Sequence, residues 1–144
     1  MLDQTDRQIL ELLSDNSRLK VKEIAEQVHL TAPAVSARLQ KLEEKGIIRA
    51  YTIDIDRSQT GCAVHVVVTV TLNQPHHTAY QAYVHSFGYQ VARHYRTAGA
   101  GCYMIELYFP NNEDLAVFLD GLEAFASYQV ASVVNVVQID KEKP

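Results

Sequence analysis

The chain has 144 residues, 47% of them hydrophobic and 21% charged, a balance that excludes a disordered or fibrous protein. That length fits one ordinary domain or two very small ones with modest cores. The formal net charge of −4, from 13 Lys+Arg against 17 Asp+Glu, speaks against a nucleic-acid partner when read as a sum, yet binding sites are local. No apolar run nears the ~18 residues of a membrane span. The start, Met1-Leu2-Asp3-Gln4, is unlike a signal peptide, and Cys62 and Cys102 make no disulfide framework. A cytoplasmic protein is expected.

Asp3 is placed to cap a first helix whose apolar stripe is Ile9, Leu10, Leu12 and Leu13, and Asp15-Asn16-Ser17 ends it. In a second helix Val21, Ile24, Ala25 and Val28 fall at i, i+3, i+4 and i+7, stopping near His29-Leu30. Thr31 caps a third, with Pro33 tolerated in the first turn and Gly46 as its left-handed stop. Val35, Leu39 and Leu42 form its buried stripe. The opposite face holds Pro33, Ala37, Gln40 and Glu44, flanked by Ala34, Ser36 and Lys41. Small residues with a few donors suit a helix that enters the major groove; an ordinary surface helix carries more long charged side chains.

Charge supports the same reading. Residues 1–15 carry Arg7 against Asp3, Asp6, Glu11 and Asp15, and residues 61–144 hold four bases against seven acids. Residues 16–49 instead carry Arg18, Lys20, Lys22, Arg38, Lys41, Lys45 and Arg49 against four glutamates. The basic excess is plain solvated surface on charge alone; helix spacing and capping turn it into a helix-turn-helix at about residues 21–40.

These residues resemble the leucine-responsive/asparagine-regulator (Lrp/AsnC) family of transcription regulators. The matching text is Leu2-Asp3-x-x-Asp6-x-x-Ile9-Leu10, Ser17-Arg18, Ile24-Ala25 and Leu30-Thr31. Val35-Ser36-x-Arg38-Leu39-x-x-Leu42-Glu43-x-x-Gly46-Ile47-Ile48 and Tyr51 complete it. The resemblance implies a DNA-binding N-terminal domain, a connecting strand, and a βαββαβ domain for sensing and assembly.

Further along, Ile47 to Ile55 alternates as a strand, and Ser58-Gln59-Thr60-Gly61 breaks it. Val64, Val66, Val68 and Val70 mark another strand, and Asn73-Gln74-Pro75 a loop. Tyr80, Tyr83, Val84 and Phe87 give a helix face closed by Gly88. Val91–Tyr95 and Cys102–Phe109 read as strands around Ala98-Gly99-Ala100-Gly101. Asn112 is placed to cap a helix burying Leu115, Phe118, Leu119, Leu122 and Phe125, and Val130–Ile139 is the last strand. The expected fold is α+β: a helix-turn-helix domain (1–48), a strand and linker (49–61), and a βαββαβ, ferredoxin-like domain (62–144) for effector binding and oligomerisation. Successive valines suggest that the sheet face without helices is covered by a second copy, giving a dimer with two recognition helices about 34 Å apart.

The DNA-binding candidates are Lys20, Lys22, Arg38 and Lys41 for phosphates and Ser36, Ala37 and Gln40 for base edges, with Thr31 and Pro33 at the helix start. The turn Thr97, Gly99, Ala100, Gly101, Cys102 and Tyr103 is the effector candidate; otherwise it is a tight hairpin that needs glycine. In the family a glycine followed three residues later by an aspartate marks the amino-acid pocket. Gly99 matches, but Cys102 stands at the aspartate position, so an ammonium group loses its counter-charge and a different effector, or none, is expected. His76 and His77 read as solvated, and no metal, cofactor or catalytic constellation is expected. The partners expected are double-stranded DNA and further copies of the chain, up to an octamer that bends or wraps DNA. The rival is an enzyme with the similar two-domain layout of siroheme decarboxylase subunits, with His65, His94 or Arg96 doing chemistry.

Overall fold

The computed structural model describes residues 1–99 and 101–137, which divide into two compact units, Met1–Ile55 and the remainder from Asp56. In the first unit, α1 (Gln4–Asp15), α2 (Val21–Val28) and α3 (Ala32–Glu44) follow one another with short turns. α1 starts with a reciprocal capping box: Asp6 N–H donates to Asp3 Oδ1 (2.8 Å) and Asp3 N–H to Asp6 Oδ2 (3.2 Å). α2 ends on His29, whose left-handed backbone (φ +56°) turns the chain toward the Thr31 cap of α3. Ile9, Ile24, Ala25, Val35 and Leu42 are buried at the centre, ringed by half-buried leucines and valines. The hydrophobic residues assigned from helical spacing are the ones that meet.

α3 ends as its glycine requires. Gly46 takes φ +67°, and the amides of Ile47 and Ile48 both return to the Leu42 carbonyl (2.9 and 3.1 Å). The strand expected over Ile47–Ile55 does not form: residues 49–56 carry no ladder hydrogen bonds. Alternation identifies a segment able to pair, but a strand needs a neighbour, and this unit has none. Tyr51, Ile53 and Ile55 are left exposed.

The second unit opens with a 3-10 turn (Arg57–Thr60). It continues as β1 (Val64–Leu72), α4 (His77–His85), β2 (Val91–Arg96), β3 (Tyr103–Phe109), α5 (Asn112–Leu122) and β4 (Ala126–Ser132). The sheet is antiparallel throughout, in the order β2-β3-β1-β4, which is the ferredoxin-like βαββαβ arrangement. Val66, Val68 and Val70 of β1 and Ile105, Leu107 and Phe109 of β3 meet Tyr80, Val84, Phe118 and Leu122 of the helices in one closed core.

Several boundaries differ from expectation: β2 runs on to Arg96 and β3 begins at Tyr103, each one residue beyond its expected limit. The cap of α5 is Asn111, which accepts from Asp114 N–H at 2.8 Å, one residue before Asn112. The last strand is Ala126–Ser132 in place of Val130–Ile139, because β1 sets its register: Leu72 pairs with Ala126 and Val66 with Ser132. Beyond that, Val133 N–H reaches His65 and pairing stops, leaving Val134, Val136 and Val137 exposed. Gln138 and Ile139 lie outside the described residues.

Candidate nucleic-acid interface

The face expected to read DNA is the one the structure leaves open. Along α3, Val35 and Leu42 are buried, whereas Pro33, Ser36, Ala37, Gln40 and Lys41 are exposed on the opposite side. Thr31 Oγ1 accepts from Ala34 N–H (3.3 Å), and Pro33 in the first turn removes a donor that has no intrahelical partner. Lys20 and Lys22 are exposed at the start of α2, where Glu23 accepts from the Lys20 amide (2.7 Å). Lys20, Lys22 and Lys41 therefore present unburied ammonium groups on the helix-turn-helix.

Two polar side chains of α3 have protein partners, one along the helix and one far off in sequence. Gln40 Nε2 donates to Glu44 Oε1 (2.8 Å), one turn along the same helix, leaving the amide oxygen and one N–H outward. Arg38 Nη1 donates to Asp3 Oδ2 (2.6 Å) and to Asp6 Oδ1 (2.7 Å). Asp3 is held below the ordinary carboxylate range, first by the Asp6 amide and then by the Arg38 guanidinium. Past the end of α3, Tyr51 donates to Glu43 Oε1 (2.7 Å). Partial burial and that carboxylate push its hydroxyl up to about 12.

The effector candidates form a different kind of place. Gly99 and Gly101 take φ +102° and +126°, so glycine is required by the backbone. Three of the turn's amides are engaged: Thr97 N–H donates to the Cys102 carbonyl (2.9 Å), Gly101 N–H to Gly99 (2.8 Å) and Cys102 N–H to Val70 of β1 (2.7 Å). A side chain on Gly101 would stand 2.8 Å from Thr69 Cγ2, so the turn lies directly against β1. Tyr103 is buried, its hydroxyl 2.8 Å from His77 Nδ1 and accepting from Gln81 Nε2 (2.9 Å). His77 is thus engaged rather than solvated, while His76 meets Gln74. Ala100 lies outside the described residues.

The residues imagined for catalysis do not converge. His65 pairs across β1–β3 with Tyr108, on the face away from the helices, against Glu106 Oε1 (2.8 Å) and stacked on the Tyr108 ring. His94 pairs with buried Ile105 on the opposite face, between Tyr80 (3.0 Å) and His85 (3.1 Å). Arg96 sits over the Tyr103 ring. Two histidines on opposite faces of one sheet cannot share a cleft.

Comparison with known proteins agrees with this layout. Residues 2–49 match the winged helix-turn-helix DNA-binding family. The chain is 39% identical over 135 residues to the HTH-type transcriptional regulator LrpA of Bacillus subtilis, covering 94% of this chain and 99% of that protein. Against LrpB of the same organism it is 32% identical, covering 95% of this chain and 91% of that one. The solved structure of B. subtilis LrpC superimposes with a TM-score of 0.89 at 29% identity, each chain covered to 99%. A Neisseria meningitidis transcriptional regulator solved with L-Met shares the fold (TM-score 0.86, 23% identity, 100% and 97% covered). With matched helices at one end and a matched sheet at the other, the chain belongs to the Lrp/AsnC family of helix-turn-helix transcriptional regulators.

Proposed function

We propose that the chain binds duplex DNA sequence-specifically through α3 and regulates transcription as a dimer-based oligomer. The observation that carries this reading is the exposed α3 face, where Ser36, Ala37 and Gln40 sit among small residues with Lys41 beside them. Small side chains let the helix approach the base edges, and an outward amide supplies a donor and an acceptor. Lys41, with Lys20 and Lys22 at the start of α2, supplies phosphate contacts, while Thr31 and Pro33 place the helix start near the backbone. The unit from residue 62 onward is read as the assembly and sensing domain, and the protein as a nucleoid-associated cytoplasmic one without catalytic activity. Among the described residues no helix is long and apolar enough to cross a membrane.

The closed turn at Thr97–Tyr103 favours an architectural emphasis, in which an octamer bends or wraps DNA without an amino-acid signal. The amides of Thr97, Gly101 and Cys102 are already engaged, and Cys102 stands where the family's aspartate would face an ammonium group. The L-Met of the Neisseria protein is therefore not carried over.

The test is a gel shift of the full chain against its own upstream DNA, over a range of salt and with amino-acid mixtures added. Lys41→Ala is expected to weaken binding to every sequence and to flatten the slope of log K against log salt by about 0.9. Gln40→Ala is expected to lose discrimination of about 1–3 kcal/mol at one base pair while keeping the slope. Wild-type behaviour from both variants rules out α3 as the reading helix. Footprints running over several helical turns support wrapping, and one short protected site counts against it.

A further inference from the structure

Arg38 lies halfway along α3, next to the groove-facing residues, where a basic side chain reads most simply as a phosphate contact. Its surroundings say otherwise. One guanidinium nitrogen, Nη1, is in contact with two carboxylates at once, 2.6 Å from Asp3 and 2.7 Å from Asp6. The four oxygens of those carboxylates are divided cleanly. Asp3 Oδ1 and Asp6 Oδ2 close the capping box of α1, and Asp3 Oδ2 and Asp6 Oδ1 take Arg38. The cap holds both carboxylates through the oxygens that Arg38 does not use, so the receptor is ordered independently of the arginine.

Two further observations decide what this contact does. The first is charge: one guanidinium against two carboxylates leaves an anionic cluster, and a phosphate approaching Arg38 meets both acids at hydrogen-bond range of the same nitrogen. Lys41, one turn away and exposed, has no ion pair among the described residues and remains the available cation. The second is packing. α1 and α3 share one small apolar core, Ile9 of the first lying in the same buried cluster as Val35 and Leu42 of the second. The Arg38 contact adds a directional polar tie between the same two helices, spanning 35 and 32 residues of sequence. A buried stripe of Val35 and Leu42 holds a helix down but tolerates some rotation about its axis; a second attachment on its flank removes that freedom.

We propose that Arg38 is a positioning residue, which fixes the roll of the recognition helix against the capped start of α1 and does not contact DNA. The proposal rests on the DNA-binding reading of α3. It makes Asp3 and Asp6, in an acidic helix with no direct role in binding, part of the machinery that aims Ser36, Ala37, Gln40 and Lys41.

Salt dependence separates this role from a phosphate contact. The full chain, Arg38→Gln and Lys41→Ala are titrated with the same operator duplex across salt concentrations. Positioning gives Arg38→Gln a line parallel to the wild type, displaced to weaker binding by one common factor. A slope reduced by about 0.9, as for Lys41→Ala, overturns it. A urea-unfolding cycle of Arg38→Gln with the double change Asp3→Asn and Asp6→Asn reads the tie without DNA. The combined variant is expected to lose no more stability than the worse of its parents, and additive losses overturn the proposal. Should Arg38→Gln fail to fold, the unaltered chain still answers: its Arg38 guanidinium NMR signals are expected to stay in place when DNA is added, and their displacement counts as a phosphate contact. If the wild-type chain binds no duplex, the DNA reading fails, and the urea cycle alone decides whether Arg38 holds α3 to α1.

Discussion

His94 shows how a residue that offers no catalytic geometry can still set a property of the protein. Its imidazole lies between Tyr80 and His85, with the Tyr103 ring alongside. Burial, and then the neighbouring His85, lower its affinity for a proton below the ordinary histidine value. One proton can be shared along the Tyr80–His94–His85 chain, but two protonated rings would set N–H against N–H. Linkage fixes the sign. Where the unfolded chain binds more protons than the folded one, stability falls as pH falls, so the loss begins near the unfolded histidine value of about 6.5 and ends at the lower folded value. Urea midpoints measured from pH 7.5 down to 5 are therefore expected to fall more steeply for the wild type than for His94→Gln. Parallel profiles would show that His94 does not carry the acid sensitivity.

At the scale of elements, the α4–α5 pair depends on a residue whose absence of side chain is the point. Gly121 stands in the last turn of α5, where glycine costs up to about 1 kcal/mol relative to alanine. Tyr83 of α4 explains it: its hydroxyl donates to the Phe118 carbonyl (2.7 Å), which brings the hydroxyl end of the ring against Gly121. A methyl group on Gly121 would fall 2.2 Å from the Tyr83 oxygen. Gly121→Ala is thus expected to destabilise by about 1–3 kcal/mol despite its better helix propensity, and Tyr83→Leu in the same chain to recover part of that loss. Urea unfolding reads both, and a more stable Gly121→Ala would mean that the two helices do not pack this closely. The same contrast explains what was legible beforehand. Helices α1 to α3 announce themselves through caps and spacing within a few residues, and so does the exposed face of α3. The Ile47–Ile55 segment and the end of β4 do not, because pairing depends on a partner strand that periodicity cannot name. The Arg38 tie to Asp3 and Asp6 was hidden for a similar reason: no local pattern links residues more than thirty positions apart.

For the whole molecule, the open question is what covers the sheet face away from the helices. His65, Thr69, Met104, Glu106 and Tyr108 lie on it, with Met104 40% exposed toward one end, between Thr69 and Tyr95. One corner is already occupied, since the Arg57 guanidinium lies over the Tyr89 and Tyr108 rings and donates to the Tyr89 carbonyl (2.6 Å). The remainder is mixed in character, and Tyr51, Ile53 and Ile55 of the linker and Val134, Val136 and Val137 after β4 are also bare. Association between copies, part of the proposed function, would cover these residues. If two sheets meet through this face, Met104→Glu places a carboxylate beside Glu106 and against its counterpart in the other copy, which like-charge repulsion disfavours. Light scattering across a dilution series is expected to show the wild type as an oligomer and Met104→Glu shifted toward the monomer, with unchanged far-UV circular dichroism. DNA affinity is expected to fall with it, because joining two reading helices raises the strength of binding by about 10²–10⁴ over one helix alone. A variant that keeps its mass would move the interface to the exposed linker and tail residues, where Ile53→Asp and Val134→Asp are the corresponding substitutions to measure.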